Sequence, residues 1–480
     1  MSAFGQTTSG VITGQVEDSQ GAAIPQAKVT LTDQQTTVSQ SVVTDKNGYF
    51  VFPAIKPATY TVSAESAGFQ RFEKKNVNVL AADRIAIGVM HLPVGAVSSV
   101  VEVHADVTPV QTTSSERSTV ITSEQMTGLL SLGRDFTSLL RIVPGSTYEG
   151  NGNNQLNTAS VGNFNGVSNN FNSINTDGVA SNIRNVGITE GPLNMDAIQE
   201  IKVLNANYQA EYGKVAGAIV DVVSKSGTKQ FHGSFAYYFR NEAMNANSYF
   251  SNRSGVARAR YRYNTITGTI GGPIYGPGPL KSLKDKLFFF YSQDYEPSTT
   301  PLGISQYTVP TALERQGDFS QSYNSSGQLY VVTDPETGKP FPGNKIPSSR
   351  INPDMQKLLS IFPLPNFTNT AVSNGDYNYV ISGSSKSPAY QEELRIDYNP
   401  SDKLHTYFRG QDLTDKSTSR SQPAIYAAWM PGTVFYNTSG PSFAVNATYT
   451  PTNNIVNELA LGVGLWFETT GASQSTLDLF

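Results

Sequence analysis

The second half of the chain contains stretches of about ten residues in which apolar and polar side chains alternate. The stretch 231–240 is the clearest, because its odd positions hold aromatic residues and a glycine, whereas its even positions include His232, Ser234 and Arg240. The same alternation recurs at residues 393–398, 404–409, 442–449 and 459–467. Successive side chains of a β-strand point to opposite faces, so each stretch predicts a strand with one apolar and one polar face.

Two architectures contain strands of this kind, a soluble β-sandwich and a β-barrel of the outer membrane. A short link at 398–402 predicts a periplasmic turn, and about 90 residues from 297 to 387 predict one long external loop, as in such barrels. Only 15% of the residues are charged, and 24 Tyr and 24 Phe are available for aromatic girdles at the membrane surfaces. These features favour the barrel, with outer-membrane lipid as a partner.

Composition and motif content exclude several classes of function. The length of 480 residues corresponds to about three domains, and the net charge of −4 argues against a nucleic-acid partner. The absence of cysteine excludes disulfides, zinc–thiolate sites and a cysteine nucleophile. Four scattered histidines form no motif, and no nucleophile elbow, phosphate loop or zinc-protease signature is present. We therefore expect no enzyme, no catalytic or metal-binding residues and no cofactor.

The segment 10–95 alternates short β-type runs with turn signals. In the turn at 44–48, Asp45 and Asn47 suit turn formation better than calcium binding. The pattern G-x-V-x-D-x-x-G-x-x-I-P-x-A-x-V from Gly14, followed by T-D-x-x-G-x-F-x-F, resembles the carboxypeptidase regulatory-like (transthyretin-like) domain. The resemblance implies a small seven-stranded β-sandwich that serves as an accessory or binding module and has no peptidase activity.

The segment 96–228 has a mixed α/β pattern. Residues 123–130 predict a short helix capped by Ser123, and apolar residues at i, i+3, i+4 and i+7 predict a second, amphipathic helix over 136–143. The Gly- and Asn-rich stretch 150–182 is too polar to pack a core, so we expect long loops there. Two apolar runs predict strands at 195–204 and 218–223.

Three strings in this segment resemble the plug of TonB-dependent outer-membrane receptors. They are L-G-R-D-F-T-S-L-L-R-I-V-P-G from Leu132, N-N-F-N-S-I-N-T-D-G-V from Asn169, and N-M-D-A-I-Q-E-I-K-V-L from Asn194. The nearest subfamily is the Oar-like type, in which a carboxypeptidase-regulatory-like domain precedes the plug. The resemblance implies a mostly β protein with a tail at 1–9, an N-terminal β-sandwich at 10–95, an α/β plug at 96–228 and part of an antiparallel transmembrane β-barrel at 229–480.

The resemblance also implies candidate functional residues. In such receptors a short extended box before the plug pairs with the periplasmic protein TonB by strand addition. The matching residues are Val100, Val101, Glu102 and Val103. Apical plug loops face the ligand, and the matching positions are Asn169, Asn170, Asn172 and Asp177, which also suit simple turn formation. Phe164-Asn-Gly166 replaces the basic R-G pair that often precedes this loop in relatives.

The strand count predicts that the chain is part of a longer protein. A barrel that holds a plug uses about 22 strands, whereas residues 229–480 supply roughly seven at the usual strand length. We therefore expect an N-terminal part of a receptor roughly twice as long. The first residues, MSAFGQTTSG, lack the apolar core of a signal peptide and resemble the surroundings of a cleavage site, so we expect an exported protein whose leader is missing. A cytosolic protein with a frayed N-terminus is the alternative that these residues leave open.

The expected function is that of a TonB-dependent receptor in the bacterial outer membrane, in which TonB-driven remodelling of the plug lets a ligand pass. The sequence does not specify the ligand, and an oligosaccharide, a peptide or protein, and an iron chelate remain open. The alternative is a surface adhesin or carbohydrate-binding scaffold that binds without transport. Energy-dependent uptake distinguishes the two functions.

Overall fold

The computed structural model describes residues 9–95, 100–104, 115–129, 131, 134–147, 161–181, 193–209, 212–213, 215–253, 255–301, 303–381, 384–420, 433–452 and 455–472. These residues form three units, which are an N-terminal sandwich, a central plug and a large antiparallel sheet. The plug packs on one face of the large sheet, and the sandwich contacts both the plug and the sheet.

The N-terminal sandwich has seven strands of its own and one added strand. They are β1 (Gly10–Asp18), β2 (Lys28–Asp33), β3 (Ser39–Val43), β4 (Tyr49–Ile55), β5 (Ala58–Glu65), β6 (Arg71–Val79), β7 (Arg84–Leu92) and β8 (Val100–His104). One sheet has the order β4-β1-β7 and the other has the order β3-β2-β5-β6-β8. Apolar residues of both sheets, including Ile12, Leu31 and Phe52, fill the core between them. The expected seven-stranded sandwich is confirmed.

The turn at 44–48 forms as the sequence predicts. Oδ1 of Asp45 accepts hydrogen bonds from the backbone N–H groups of Asn47 (2.8 Å) and Tyr49 (2.9 Å). Gly48 has a φ of 73°, and a Cβ atom at this position would lie 2.4 Å from the carbonyl oxygen of Val16. Asp45 therefore holds the backbone of a tight turn that leads into β4.

The plug is a five-stranded sheet covered by short helical turns. Its elements are β9 (Arg117–Thr122), α1 (Ser123–Gly128), β10 (Ser146–Thr147), β11 (Asn163–Phe164), β12 (Ser173–Thr176), β13 (Val179–Ala180), β14 (Ile198–Ala206) and β15 (Ile219–Ser224). The sheet order is β13-β12-β15-β14-β9, with β12 and β15 parallel. Met126, Phe136, Ile174, Ile201 and Val222 belong to its apolar core.

Both predicted plug helices exist, but with different details. The N-cap of α1 is Thr122, not Ser123, and its side chain and that of Gln125 form a reciprocal capping box. Residues 136–142 form a 3₁₀ helix, not an amphipathic α-helix. Five consecutive residues, 136–140, are buried, so this segment has no solvent-facing stripe to favour regular amphipathic geometry.

The Gly- and Asn-rich stretch is not entirely loop. Within it, residues 161–181 supply β11, β12 and β13, and Phe164 and Ile174 are buried in the plug core. The prediction of long loops was wrong here because buried polar residues are tolerated when they are hydrogen-bonded. The side-chain amide of Asn175, for example, donates to Asp221 at 2.6 Å.

The remaining residues form a nine-stranded antiparallel sheet and its connecting loops. Their elements are β16 (His232–Asn241), α2 (Tyr249–Arg253), β17 (Arg262–Pro273), β18 (Leu287–Pro301), β19 (Ser305–Tyr307), α3 (Pro353–Ile361), α4 (Thr370–Ser373), β20 (Tyr379–Ile381), β21 (Ser384–Ser401), β22 (Leu404–Arg420), β23 (Thr433–Ser439), β24 (Ser442–Thr452), β25 (Ile455–Gly464) and β26 (Phe467–Ala472). Among these, α3 is the longest helix, with nine residues. No helix in the described part of the chain is both long enough and apolar enough to cross a bilayer.

The nine strands of the large sheet make seven passes. The order is β16-β17-β18-β21-β22-β23-β26, and β24 pairs with β22 and β25. β23 and β24 lie end to end beside β22 and together form one pass. β25 and β26 also lie end to end, β25 beside β24 and β26 beside β23, and together form the last pass. The number of passes agrees with the expected seven. Backbone groups cannot face lipid unpaired, so the outer edges of the first and last passes need partners in a membrane.

The two faces of this sheet have opposite character, as the alternation predicts. On β21 the residues of one face are buried against the plug, namely Gln391, Glu393, Arg395 and Asp397. The residues of the other face are exposed, namely Tyr390, Leu394 and Tyr398. The same division holds on β24, where Phe443, Val445 and Tyr449 point outward. The polar face is therefore the wall on which the plug is seated.

The two ends of the large sheet differ in their connections. At one end, which we call the sandwich side, short links join β21 to β22 and β24 to β25, and Gln40 of the sandwich bonds His405. At the other end, the loop side, long connections join β16 to β17 and β18 to β21. The predicted loop at 297–387 is shorter at both ends, because β18 and β21 remain paired as far as Pro301 and Ser384.

The link from the plug to the large sheet passes very close to the backbone of β18. A Cβ atom on Gly227 would lie 2.3 Å from the carbonyl oxygen and 2.7 Å from the nitrogen of Phe289, and 2.9 Å from the carbonyl oxygen of Gly272. All three atoms belong to the backbone of paired strands, so they cannot move aside cheaply. Only glycine fits this position.

We expect Gly227→Ala to lower the free energy of unfolding by about 1–3 kcal/mol, as overpacking does elsewhere. Thermal or denaturant unfolding of the full chain in detergent micelles measures the change. Gly213→Ala is the matched control, because a Cβ atom at Gly213 meets no atom within 4 Å. Equal stability of the two variants would contradict the close approach.

Candidate functional site

A buried ion cluster joins the plug to the wall. The Asp177 carboxylate of the plug lies 3.1 Å from Nε of Arg409 and 3.4 Å from Nη1 of Arg395, and Arg395 also pairs with Asp397 at 3.0 Å. The Asp177 side chain is only 1% exposed. We call these four residues the plug–wall cluster. Arg395 and Arg409 face each other directly on β21 and β22, where like charges repel, and the Asp177 carboxylate that contacts both of them reduces this repulsion.

Hydrogen bonds fix the orientation of Asp177. Its carboxylate accepts from the backbone N–H of Ser224 at 2.9 Å and from the Ser224 hydroxyl at 2.7 Å. Its carbonyl oxygen accepts from the hydroxyl of Tyr407 at 2.8 Å. Asp177 adopts a positive φ of 51° in the turn between β12 and β13, which Asp tolerates better than most residues. The turn therefore aims the carboxylate at the wall.

A second polar contact holds the plug against strands β17 and β18. The Thr267 hydroxyl donates to Asp196 at 2.9 Å, and Asp196 pairs with Arg134 at 2.6 Å. The side-chain amide of Asn194 donates to Thr267 at 3.0 Å and to Ser292 at 3.2 Å. These two contacts are thus made mainly by charged and hydrogen-bonding groups, whereas Val179 of β13 packs closely against Gly462 of β25.

A second charged cluster joins the sandwich to the plug. A Glu200 side-chain oxygen accepts from the backbone N–H of Ala81, and Nζ of Lys202 lies 3.5 Å from Asp83. Nζ of Lys202 also lies 2.9 Å from Glu116, which directly precedes β9. We call Asp83, Glu116, Glu200 and Lys202 the sandwich–plug cluster. Burial is the main cause that raises the pKa of Glu200 to about 7, and the Asp83 charge adds to it.

The sandwich also touches the large sheet. The side-chain amide of Gln40 bonds Nε2 of His405 at 2.8 Å, and the Ser9 hydroxyl donates to Glu458. The backbone N–H of Lys229, on the link between plug and sheet, donates to the carbonyl oxygen of Gln35 at 3.1 Å. The sandwich therefore bridges plug and wall on one side of the molecule.

The candidate TonB box lies in the sandwich, not in the plug. Residues 100–104 form β8, which pairs in parallel with β6 so that Val100 faces Arg71 and Val103 faces Lys74. β8 is the last strand of its sheet, and no strand among the described residues pairs with its outer edge. That edge presents backbone groups to which another strand can add.

The four candidate loop residues do not lie together. Asn169 and Asn170 belong to a 3₁₀ turn before β12, and Asn170 is exposed. Asn172 is buried, where its amide donates to the Gly162 carbonyl at 2.8 Å and its oxygen accepts from the Ala218 N–H. Asp177 follows the opposite end of β12, in the plug–wall cluster. The structure therefore places two of the four residues, Asn172 and Asp177, in buried positions at opposite ends of β12.

A cleft lies on the loop side of the molecule. It has a volume of about 880 Å³ and is enclosed by the connection between β16 and β17 and the connection between β18 and β21. Its lining includes the rings of Phe250, Tyr261 and Tyr377 and several amide and hydroxyl groups. Two acidic and two basic residues also contribute to the lining, namely Glu242, Asp376, Arg253 and Arg258. Its size and mixed lining suit a small ligand.

Sequence reasoning missed most residues of both clusters. Glu200 and Lys202 of the sandwich–plug cluster lie inside a string that carries the family resemblance, so that string was a usable signal. The same holds for Arg134, Asn194 and Asp196 of the second polar contact. Arg395 and Arg409 lie at polar-face positions of adjacent alternating stretches, which marked them as wall residues but not as partners of Asp177.

Three family models match successive parts of the chain. The family described as "Outer membrane beta barrel domain" matches residues 223–478, which is more than half of the 480 residues. The "Carboxypeptidase regulatory-like domain" matches residues 11–89. The "TonB-dependent Receptor Plug Domain" matches residues 110–220.

Individual proteins are similar to parts of the chain. The TonB-dependent transporter Oar of Myxococcus xanthus is 26% identical over 302 residues, which are 60% of this chain and 26% of Oar, so the chain spans about a quarter of that relative. The outer membrane transporter YddB from Escherichia coli is similar with a TM-score of 0.43 and 10% identity, over 72% of this chain and 38% of YddB. The siderophore receptor PirA from Acinetobacter baumannii is similar with a TM-score of 0.37 and 13% identity, over 73% of this chain and 44% of PirA.

We expect Asp177→Asn to destabilise the seated plug by about 3–5 kcal/mol, because it removes the buried carboxylate that contacts both guanidinium groups. Guanidinium-induced unfolding of the full chain in micelles measures the change. Asp354→Asn is the matched control, since the pair that Asp354 forms with Lys357 is exposed and worth little. A loss for Asp177→Asn no larger than that of the control would refute the cluster's importance.

We expect stability to fall as pH rises through the pKa of Glu200. The pKa is about 7 in the folded chain and near 4.5 ordinarily, so the folded state holds a proton that the unfolded state releases. The contribution is therefore complete below about pH 4.5 and is lost as pH rises through about 7, by up to about 3 kcal/mol. Thermal unfolding over this pH range measures it, and Glu200→Gln should flatten the profile. An unchanged profile in Glu200→Gln would exclude Glu200 as its source.

Proposed function

Because the chain belongs to the Oar-like TonB-dependent receptors of the bacterial outer membrane, we propose that the protein takes up a ligand across that membrane by TonB-driven remodelling of its plug. In this proposal the sandwich side faces the periplasm and the loop side faces the outside. Ligand binds on the loop side, and TonB acts on the sandwich side. The plug then moves relative to the wall so that the ligand passes.

The observation that carries this proposal is the polar nature of the contact between plug and wall. Asp177, Arg395 and Arg409 are desolvated in the seated state and would regain hydration when the plug moves. Buried ion pairs add little net stability because desolvation offsets their attraction. A plug fastened by such pairs is held specifically, yet it can leave without exposing a large apolar surface.

The position of β8 supports TonB as the partner. Strand addition needs an extended segment with a free edge, and β8 is the edge strand of the sandwich sheet. A TonB strand added to β8 would become the new edge strand of that sheet while β8 stays paired with β6. Force applied by TonB would then act on the sandwich as well as on the box.

The loop-side cleft supports a binding step before transport. Aromatic rings beside amide and hydroxyl groups suit an oligosaccharide or a peptide, because such ligands combine apolar faces with many hydrogen-bonding groups. We propose that the ligand belongs to one of these two classes and first contacts the connections around this cleft.

Proline substitutions in the box test TonB binding. In a β-strand, the N–H groups of neighbouring residues point to opposite edges, and proline removes that donor. Of Val101→Pro and Glu102→Pro, we expect one to weaken binding of the purified TonB C-terminal domain at least about tenfold while leaving β8 paired with β6. Titration calorimetry with the full chain measures the affinity, and Val101→Thr and Glu102→Thr are controls that keep the N–H group.

Two outcomes would contradict the proposal. If both proline variants bind the TonB domain as well as the original chain, the segment 100–103 is not the box. If cells with TonB bind labelled peptides or oligosaccharides at the surface but accumulate none, the protein is a non-transporting adhesin or carbohydrate-binding scaffold. Uptake that stops when TonB is removed, with surface binding retained, is the expected result.

A further inference from the structure

Lys202 is the fully buried lysine at the centre of the sandwich–plug cluster. Its side chain is 0% exposed, and the Glu116 and Asp83 side chains that it meets are 2% and 20% exposed. A buried ammonium group is costly unless it is neutralised, so Lys202 depends on these carboxylates. They come from two different parts of the chain, and each connects differently to the candidate box.

Glu116 lies on the covalent path from the box to the plug. Eleven residues separate His104, the end of β8, from Glu116, and β9 begins directly afterwards. β9 is an edge strand that pairs antiparallel with β14, on which Lys202 lies. Force on the chain before Glu116 therefore acts on the N-terminal end of β9 and breaks its hydrogen bonds to β14 one after another.

Asp83 lies on a second path, through the body of the sandwich. It directly precedes β7, and the neighbouring Ala81 bonds Glu200 on the same face of β14. β8 belongs to the sandwich through its pairing with β6. A pull on β8 therefore also loads the contact between Asp83 and Lys202. Both paths from β8 end on one ammonium group.

We propose that Lys202 is a latch that ties the start of the plug and the sandwich to β14, and that the latch must open before β9 detaches. The proposal rests on the proposed function, because it assumes that TonB pulls from the sandwich side. Lys202 is a positioning residue, since it acts on β9 and the sandwich through Glu116 and Asp83. An edge strand that is pulled from one end loses its hydrogen bonds a few at a time. The ion pair between Lys202 and Glu116, next to the N-terminal end of β9, therefore sets the force needed to begin this separation.

Local hydrogen exchange tests the latch in the full chain in detergent micelles. Lys202→Met should speed exchange of the β9 amides, residues 117–122, at least about tenfold, while β15, residues 219–224, stays unchanged. Lys202→Arg is the matched control, because it keeps the positive charge, so it should speed exchange in β9 less than Lys202→Met does. Equal acceleration in β9 and β15 would mean a general structural role and would overturn the proposal.

Single-molecule pulling tests the mechanical role. With force applied at β8, residues 100–104, and the large sheet held in a nanodisc, Lys202→Met should lower the force at which β9 detaches from β14. Detachment of β9 at the original force would overturn the latch. If Lys202→Met does not fold, Glu116→Gln removes the ion pair with Glu116 and keeps the pair between Lys202 and Asp83. It should therefore lower the rupture force by a smaller amount.

The two proposals fail separately. Lys202→Met leaves residues 100–103 intact, so the affinity for the TonB C-terminal domain should not change. Absence of TonB binding in the original chain would refute the proposed function while the exchange result still decides whether Lys202 restrains β9. Normal TonB binding with unaltered exchange in Lys202→Met would refute only the latch.

Discussion

The placement of one carboxylate between two facing guanidinium groups decides how plug and wall fit together. Arg395 and Arg409 are opposite one another on adjacent strands, in a place where water cannot screen their repulsion. Asp397 and Glu393 lie on the same face of β21, and Asp177 from the plug contacts both guanidinium groups. The seated plug thus adds a carboxylate where two wall cations face each other, which makes the two units electrostatically complementary.

The polar wall also explains why the plug can be rich in glycine and asparagine. One face of a barrel sheet contacts lipid, and the opposite face must be covered by water or by another part of the protein. Here the plug covers that face and contacts it mainly through hydrogen bonds. The plug keeps a separate apolar core of its own, around Phe136 and Ile201. It is therefore a folded body that contacts its surroundings through polar groups, which suits a part that moves.

Local sequence signals predicted the units well and their contacts poorly. The sandwich, the plug and the seven passes follow from alternation, turns and family strings, all of which are local or short-range. The helix at 136–142 and the strands within 161–181 were mispredicted, because tertiary burial outweighed local propensity. Asp177 was expected beside a ligand, but the turn that holds it aims it at Arg409.

The sequence by itself determined which face of each wall strand is apolar and which is polar, because this alternation depends only on strand geometry. Tertiary structure alone decided what the polar positions meet. Glu200 and Lys202 alternate along β14 as a solvated face would, yet the sandwich buries both. The segment 100–103 looks like any β-strand, and only its pairing with β6 makes it an edge of the sandwich. Asp177 and Arg395 are 218 residues apart and Lys202 and Asp83 are 119 apart, so no local pattern records these pairings.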